Sequence, residues 1–323
     1  MIKLVRTAVL AAFVIALAIR AAHGEELNIF LKSTPAFERL RPYADPATLS
    51  LLVTDASGRP ESGGTVTIRL DAPRSQRFFS TDFPWVEGTR LQEMTLNLRQ
   101  GRVNWKYLFP IRGQYRLGVE ATSPDGRTAR KEFTFTVREN EKKWWTLAAF
   151  SAALFCIGAI AGRVFTGARN QAAAMMAVVA LAASGAMAAG VTQDGDGEAL
   201  EVEPATVGRP TLVRVREGLD SRQPGALLSL AIIHLEKSKT AFEIERVPTA
   251  GDFSMKFQFT DGAEYRLITV VERPGVAPLR SEKIITAASL EPPTSAMVPA
   301  FIFFIGLIAV GLAAGRWSKR DTV

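Results

Sequence analysis

"GRVNWKYLFPIRGQYRLGVEATSPDGRTARKEFTFT", residues 101–136, and "GDFSMKFQFTDGAEYRLITVVERPGVAPLRSEKIIT", residues 251–286, align without a gap at a shift of 150 positions. Ten pairs are identical, among them Gly101/Gly251, Lys106/Lys256, Phe109/Phe259, Tyr115/Tyr265, Arg116/Arg266 and Leu117/Leu267. Positions that differ keep their character, as in Val103/Phe253, Trp105/Met255 and Tyr107/Phe257. Apolar residues alternate with polar ones through both stretches, the period of a half-buried strand, and "PIRGQ", "SPDGR" and "TDGA" supply turns between the runs. A gapless repeat of this length reads as a duplicated structural unit.

The same grammar extends outward. "TVTIRL" sends Val66, Ile68 and Leu70 to one face, "EMTLNL" does so with Met94, Leu96 and Leu98, and "LLSLAII" with Leu228, Leu230 and Ile232. No helical period competes in either block. The expected fold class is therefore all-β in two extracytoplasmic domains, each a small immunoglobulin-like β-sandwich, combined with α-helical membrane segments.

Four apolar segments bracket the blocks. Residues 1–24 read as a signal peptide, with Lys3 and Arg6 leading an apolar core and Ala22 and Gly24 before a cut at Glu25. Residues 144–162, 172–191 and 296–315 each approach the roughly 20 apolar residues of a membrane-spanning helix. Arg163 and Arg169 in the loop 163–171, and Arg316, Lys319 and Arg320 in the tail 316–323, place those stretches on the cytoplasmic side. Both polar blocks, 25–143 and 192–295, then share the outer side of a bacterial inner (cytoplasmic) membrane in a multi-pass protein. Residues 168–194 also resemble a targeting signal, with small residues for a cut near Ala188 or Ala189, and occupy the position of the first segment in the repeated unit.

Charge follows the same division. The formal net charge is +7, yet the first block carries +4 and the second −4, so the excess lies beside the apolar segments. Nucleic acid is not an expected partner, because its binding needs positive charge gathered on one folded face. The opposite signs suggest instead that the two blocks attract one another. Cys156 is the sole cysteine and lies in an apolar run, so no intramolecular disulfide is available.

Catalytic motifs are missing: there is no phosphate-binding loop, no HExxH and no cysteine outside the apolar run to serve as a nucleophile. The protein is read as a non-enzyme without a cofactor. His234, the only histidine after residue 23, is expected at a solvent-facing strand end, and with Met255 it forms the thin alternative of a metal site. The acidic run from Asp194 to Glu203 reads as a linker.

Contact candidates are clearer. "RSQRFFSTDFPW" gathers Arg74, Arg77, Phe78, Phe79, Phe83 and Trp85, residue types that dominate protein interfaces, although the same aromatics would also close one end of a sandwich. Gly158 with Gly162, and Gly311 with Gly315, form GxxxG pairs that let membrane helices pack closely.

"LSLAIIHLEKSKTAFEIERVP", from Leu228, and "GDFSMKFQFTDGAEYRLITVVERPG", from Gly251, resemble the YtkA-like and FixH-like immunoglobulin-like domains over roughly residues 205–287. The resemblance implies an extracytoplasmic sandwich. Some relatives handle copper or assist cytochrome oxidase maturation, but this chain lacks the His or Met cluster of a copper-handling member. The expected function is a non-enzymatic envelope protein, in contact with membrane lipid, that supports or recruits a membrane or periplasmic protein. A metal-handling accessory factor for respiratory enzyme assembly and an enzyme completed by a partner chain are the alternatives.

Overall fold

The computed structural model describes residues 27–75, 80–164, 200–216, 225–249, 251–290 and 294–320. The signal-like residues 1–24, the segment 172–191 and the sites near Ala188 and Ala189 lie outside the described residues.

Residues of the first block form β1 (Asn28–Thr34), β2 (Ala47–Thr54), β3 (Thr65–Asp71), β4 (Arg90–Asn97), β5 (Arg102–Tyr107), β6 (Gly113–Thr122) and β7 (Thr128–Val137). Those of the second form β8 (Leu200–Val202), β9 (Pro210–Val215), β10 (Ala226–His234), β11 (Lys239–Thr249), β12 (Phe253–Gln258), β13 (Glu264–Arg273) and β14 (Val276–Thr286). Alternation sets the facing: in β3, Val66, Ile68 and Leu70 are fully buried while Thr65, Thr67, Arg69 and Asp71 are not. The acidic run read as a linker ends in structure, since β8 starts within it.

The strands assemble into two seven-stranded antiparallel sheets rather than two separate pairs of sheets. One has the order β1-β2-β5-β11-β10-β13-β14, the other β7-β6-β3-β4-β12-β9-β8. Each sheet thus crosses from block to block, once through β5–β11 and once through β4–β12. Edge strands explain the joining: β5 and β4 would each leave one edge of backbone N–H and C=O groups unpaired if the first block stood alone, and the second block's β11 and β12 pair with them. The sheets face each other around one core, where Phe242 and Tyr107 of one sheet meet Phe257 of the other at 5.9 and 6.5 Å between ring centres.

Two tyrosines pin the turns that precede β6 and β13. The buried Tyr115 hydroxyl donates to the Ile111 carbonyl at 2.7 Å and accepts from the Ile111 N–H at 3.1 Å. Tyr265 repeats this by donating to the Asp261 carbonyl at 3.2 Å. This is the tyrosine-corner arrangement of sandwich proteins.

Helices α1 (Glu141–Val164) and α2 (Thr294–Arg320) leave the same end of the sheets and run side by side. Both contain a stretch long and apolar enough to cross a membrane, within Glu141–Val164 and Met297–Ser318. They touch where side chains are missing. A methyl group on Gly158 would lie 2.4 Å from the Ile308 carbonyl oxygen, and one on Gly311 would lie 2.3 Å from that of Phe155. Gly162 meets Leu312, and Gly315 meets Ala159, in the same way. Phe150 and Phe304 close the contact nearer the sheets, their ring centres 5.3 Å apart.

Candidate functional site

The end of the sheets from which the helices depart gathers the longest connection of the first block and three short turns. In the connection from β3 to β4, described over residues 72–75 and 80–89, the two ends are bonded together. Gly88 N–H donates to the Pro73 carbonyl at 2.7 Å, Ala72 N–H to Thr89 at 2.8 Å, and the Glu87 carboxylate accepts from Ser80 Oγ at 2.8 Å and Thr81 N–H at 2.6 Å. Phe83 and Trp85 sit in this loop as an edge-to-face pair 5.9 Å apart, half-buried and packed on the core. The Trp85 indole N–H donates to the Thr260 carbonyl at 3.3 Å, and Gly208 leaves room for the same ring. The loop therefore belongs to the first block and is strapped onto the second.

A polar cluster lies beside this strap. Tyr43, from the β1–β2 connection, shares a hydrogen bond of 3.0 Å with the Thr260 hydroxyl, and its ring is 5.3 Å from Phe83. The Lys237 ammonium stands 3.9 Å from the centre of the Tyr43 ring and pairs with Asp261, so one side chain bridges the two blocks. Lys239 adds a second bridge through the carbonyls of Tyr43 and Ala44, at 2.8 and 2.9 Å.

His234 is at the end of β10 as the sequence indicates, but it is buried instead of solvent-facing, with 1% exposure. The Tyr265 ring covers it at 4.9 Å, while Asp261 Oδ2 lies 3.4 Å from Nε2. The Lys237 backbone N–H points at Nδ1, also at 3.4 Å. The ring is thus held between a backbone donor on its Nδ1 side and a carboxylate acceptor on its Nε2 side. The hydrogen bond from His234, then that from Lys237, holds the Asp261 carboxyl down at about 2, against the desolvation that opposes it. Burial pushes the Tyr43 phenol well above its usual range.

Little room remains among these groups. The cavity bounded by Tyr43, His234, Phe257, Thr260 and Tyr265 measures about 10 Å³, the scale of one water probe. Met255 stands elsewhere, on β12 opposite Met94, whereas His234 is on the other sheet. Among the described residues no three His, Cys, Asp or Glu side chains gather as a metal site would require.

Of the other sequence-selected residues, Arg74 is exposed and lines an open depression of about 360 Å³ with Pro73, Gly113, Gln114 and Arg116. Arg77, Phe78 and Phe79 lie outside the described residues. The four glycines all lie in the α1–α2 contact. Sequence reading missed the ties between sheets and α1: Lys143 pairs with Asp82, while Arg112 bonds Glu139 at 2.8 Å and stands 6.0 Å over the Trp144 ring. It also missed Lys106, which reaches Glu243 at 2.9 Å and Glu245 at 3.2 Å across one junction, and Lys256, 3.8 Å from Glu93 across the other. The identity Lys106/Lys256 was a signal for both.

These features define a mostly antiparallel β protein carried on two apolar helices. No family model and no curated protein matches the chain. Among solved structures it is similar to a bacterial ice-binding adhesin, with 9% identity and a TM-score of 0.24 over 83% of this chain and 66% of that one. It is similar to invasin, a bacterial integrin-binding protein, with 10% identity and a TM-score of 0.24 over 81% of this chain and 39% of that one. It is also similar to Escherichia coli alpha-2-macroglobulin, with 12% identity and a TM-score of 0.28 over 83% of this chain and 17% of that one. The chain spans less than two thirds of each.

Proposed function

We propose that this is a non-enzymatic bacterial envelope protein whose outward β-domains, of immunoglobulin-like type, support or recruit a protein partner beside the inner membrane. The observation that carries the reading is the unbroken passage of both sheets across both blocks, combined with the ties from Asp82 and Arg112 to the start of α1 and from Arg112 to Glu139 just before it. Such a body is held at a set height and orientation over the helix pair. Among the described residues its larger hollow is the open depression beside Arg74, a form suited to contact with another macromolecule. The β3–β4 loop, with Arg74 exposed at its start, is the contact region we favour, and membrane lipid surrounds the helices.

Photo-crosslinking in native membranes tests this. A crosslinking residue is placed singly at Arg74, Lys131 and Arg280, which sample the loop and one outer strand of each sheet. Discrete protein adducts from one face, strongest at Arg74, are expected. Lipid adducts alone, or none at any of the three positions, would overturn the proposal.

A further inference from the structure

The two junctions between the blocks are counterparts of one another. Shifting the strand numbers by seven turns the order of one sheet into the order of the other read backwards. At the residue level, Lys106 opposes Glu243 in the β5–β11 junction and Lys256 opposes Glu93 in the β4–β12 junction. Both lysines and both glutamates are related by the shift of 150 positions. Register follows the same rule, for Trp105 opposes Ile244 just as Met255 opposes Met94. The helix contact is reciprocal too: Gly158 rests on residue 308 and Gly311 on residue 155, then Gly162 on 312 and Gly315 on 159. These are the relations of an isologous interface, in which each patch meets its own equivalent through a two-fold axis.

We propose that each half of the chain is a self-pairing module, and that the protein is a pair of like subunits joined on one polypeptide. The interaction surface is the β4–β5 edge pair of the first half, or β11–β12 of the second, and the partner it fits is a second copy of the same half. Each half carries both members of the pairing: Lys106 and Glu93 in the first, Lys256 and Glu243 in the second. Two first halves would oppose Trp105 to Met94, and two second halves Met255 to Ile244. The inference rests on reading the repeat as a duplicated unit and is independent of the proposed function.

The full-length protein tests it. A site-specific protease sequence is inserted between residues 165 and 171, and the purified protein is cut to completion in detergent. Q92F/M94I gives β4 the residues of β11, so its junction with β12 becomes that of two second halves. F242Q/I244M makes the other junction that of two first halves. After cutting, the fragments of the parent and of both variants are expected to elute together, with Q92F/M94I melting within a few degrees of the parent. Separation of the parent fragments would overturn non-covalent pairing altogether. A joined parent with separated fragments in the variants would overturn self-pairing while leaving the repeat intact. Should F242Q/I244M fail to fold because of its buried amide, Q92F/M94I decides; failure of both to fold overturns the proposal.

Discussion

At the scale of single residues, the tyrosine corners and the Asp261 cluster fix the end of the sheets nearest the helices. Tyr115→Phe removes two hydrogen bonds to Ile111 and Tyr265→Phe removes one to Asp261, without changing the ring that packs the core. A net hydrogen bond contributes about 1 kcal/mol, so Tyr115→Phe should destabilise by roughly 1–2 kcal/mol and Tyr265→Phe by about 1. Denaturant titration of the detergent-solubilised protein measures both, and no loss in either variant, or a reversed order, would contradict the assignment. Asp261 adds a pH dependence. Its folded-state carboxyl sits at about 2, below the ordinary 3.8, so the unfolded chain binds more protons between those values. The contribution is complete above about pH 4 and is lost as pH falls toward 2. Asp261→Asn should flatten that part of the acid limb of a melting-temperature profile. A variant whose profile between pH 5 and 2.5 overlays the parent would show that His234 and Lys237 do not stabilise the charged carboxylate.

At the scale of elements, the strap and the helix pair are the parts that a pattern-based reading finds only halfway. Strands were legible because their burial depends on alternation within one segment: "TVTIRL", "VNWKYLF" and "YRLGVEA" became β3, β5 and β6 with the expected residues inside. Which edge a strand pairs with depends on residues more than a hundred positions away, and the same alternation would serve either a closed block or a shared sheet. Glu93 and Glu243, identical at the shift that relates Lys106 to Lys256, held the missing information. Aromatics in the β3–β4 loop were legible as a cluster, but the inward packing of Trp85 follows from Thr260 and Gly208, which are remote in sequence. Trp85→Ala should cost about 2 kcal/mol, less than the roughly 3–5 of a fully buried aromatic, and raise hydrogen exchange at Thr260–Gly262. Unchanged exchange there would remove the strap. For the helices, cysteines replacing Phe150 and Phe304 in a Cys156→Ser background should crosslink readily. Adding Gly158→Leu, whose side chain meets the Ile308 carbonyl, should reduce that crosslink several-fold; an undiminished yield would mean the glycines do not set the approach.

At the scale of the whole molecule, continuity of the sheets matters more than the net charges of the blocks. The opposite totals suggested a diffuse attraction, whereas the junctions are made of backbone pairing, shared core and a few directed ion pairs. Those pairs are partly exposed and each contributes only about 0.2–1 kcal/mol. The core is the stronger link: Trp105 and Tyr107 of the first block and Phe242, Ile244 and Phe257 of the second are almost fully buried together, and removing either block would expose apolar surface on the other. Two sandwiches joined only by a linker would unfold separately, while blocks that share both sheets should unfold as one cooperative unit. Leu49→Ala, placed in the buried face of β2 well inside the first block, should destabilise by roughly 2–5 kcal/mol. In the shared architecture this loss reaches the second block as well. Native-state hydrogen exchange should therefore show the slowest amides of β10 and β13 losing protection together with those of β2 and β5. If β10 and β13 keep their parent protection while β2 and β5 lose theirs, or if calorimetry resolves two transitions in the parent, the junctions are too weak to make one folding unit.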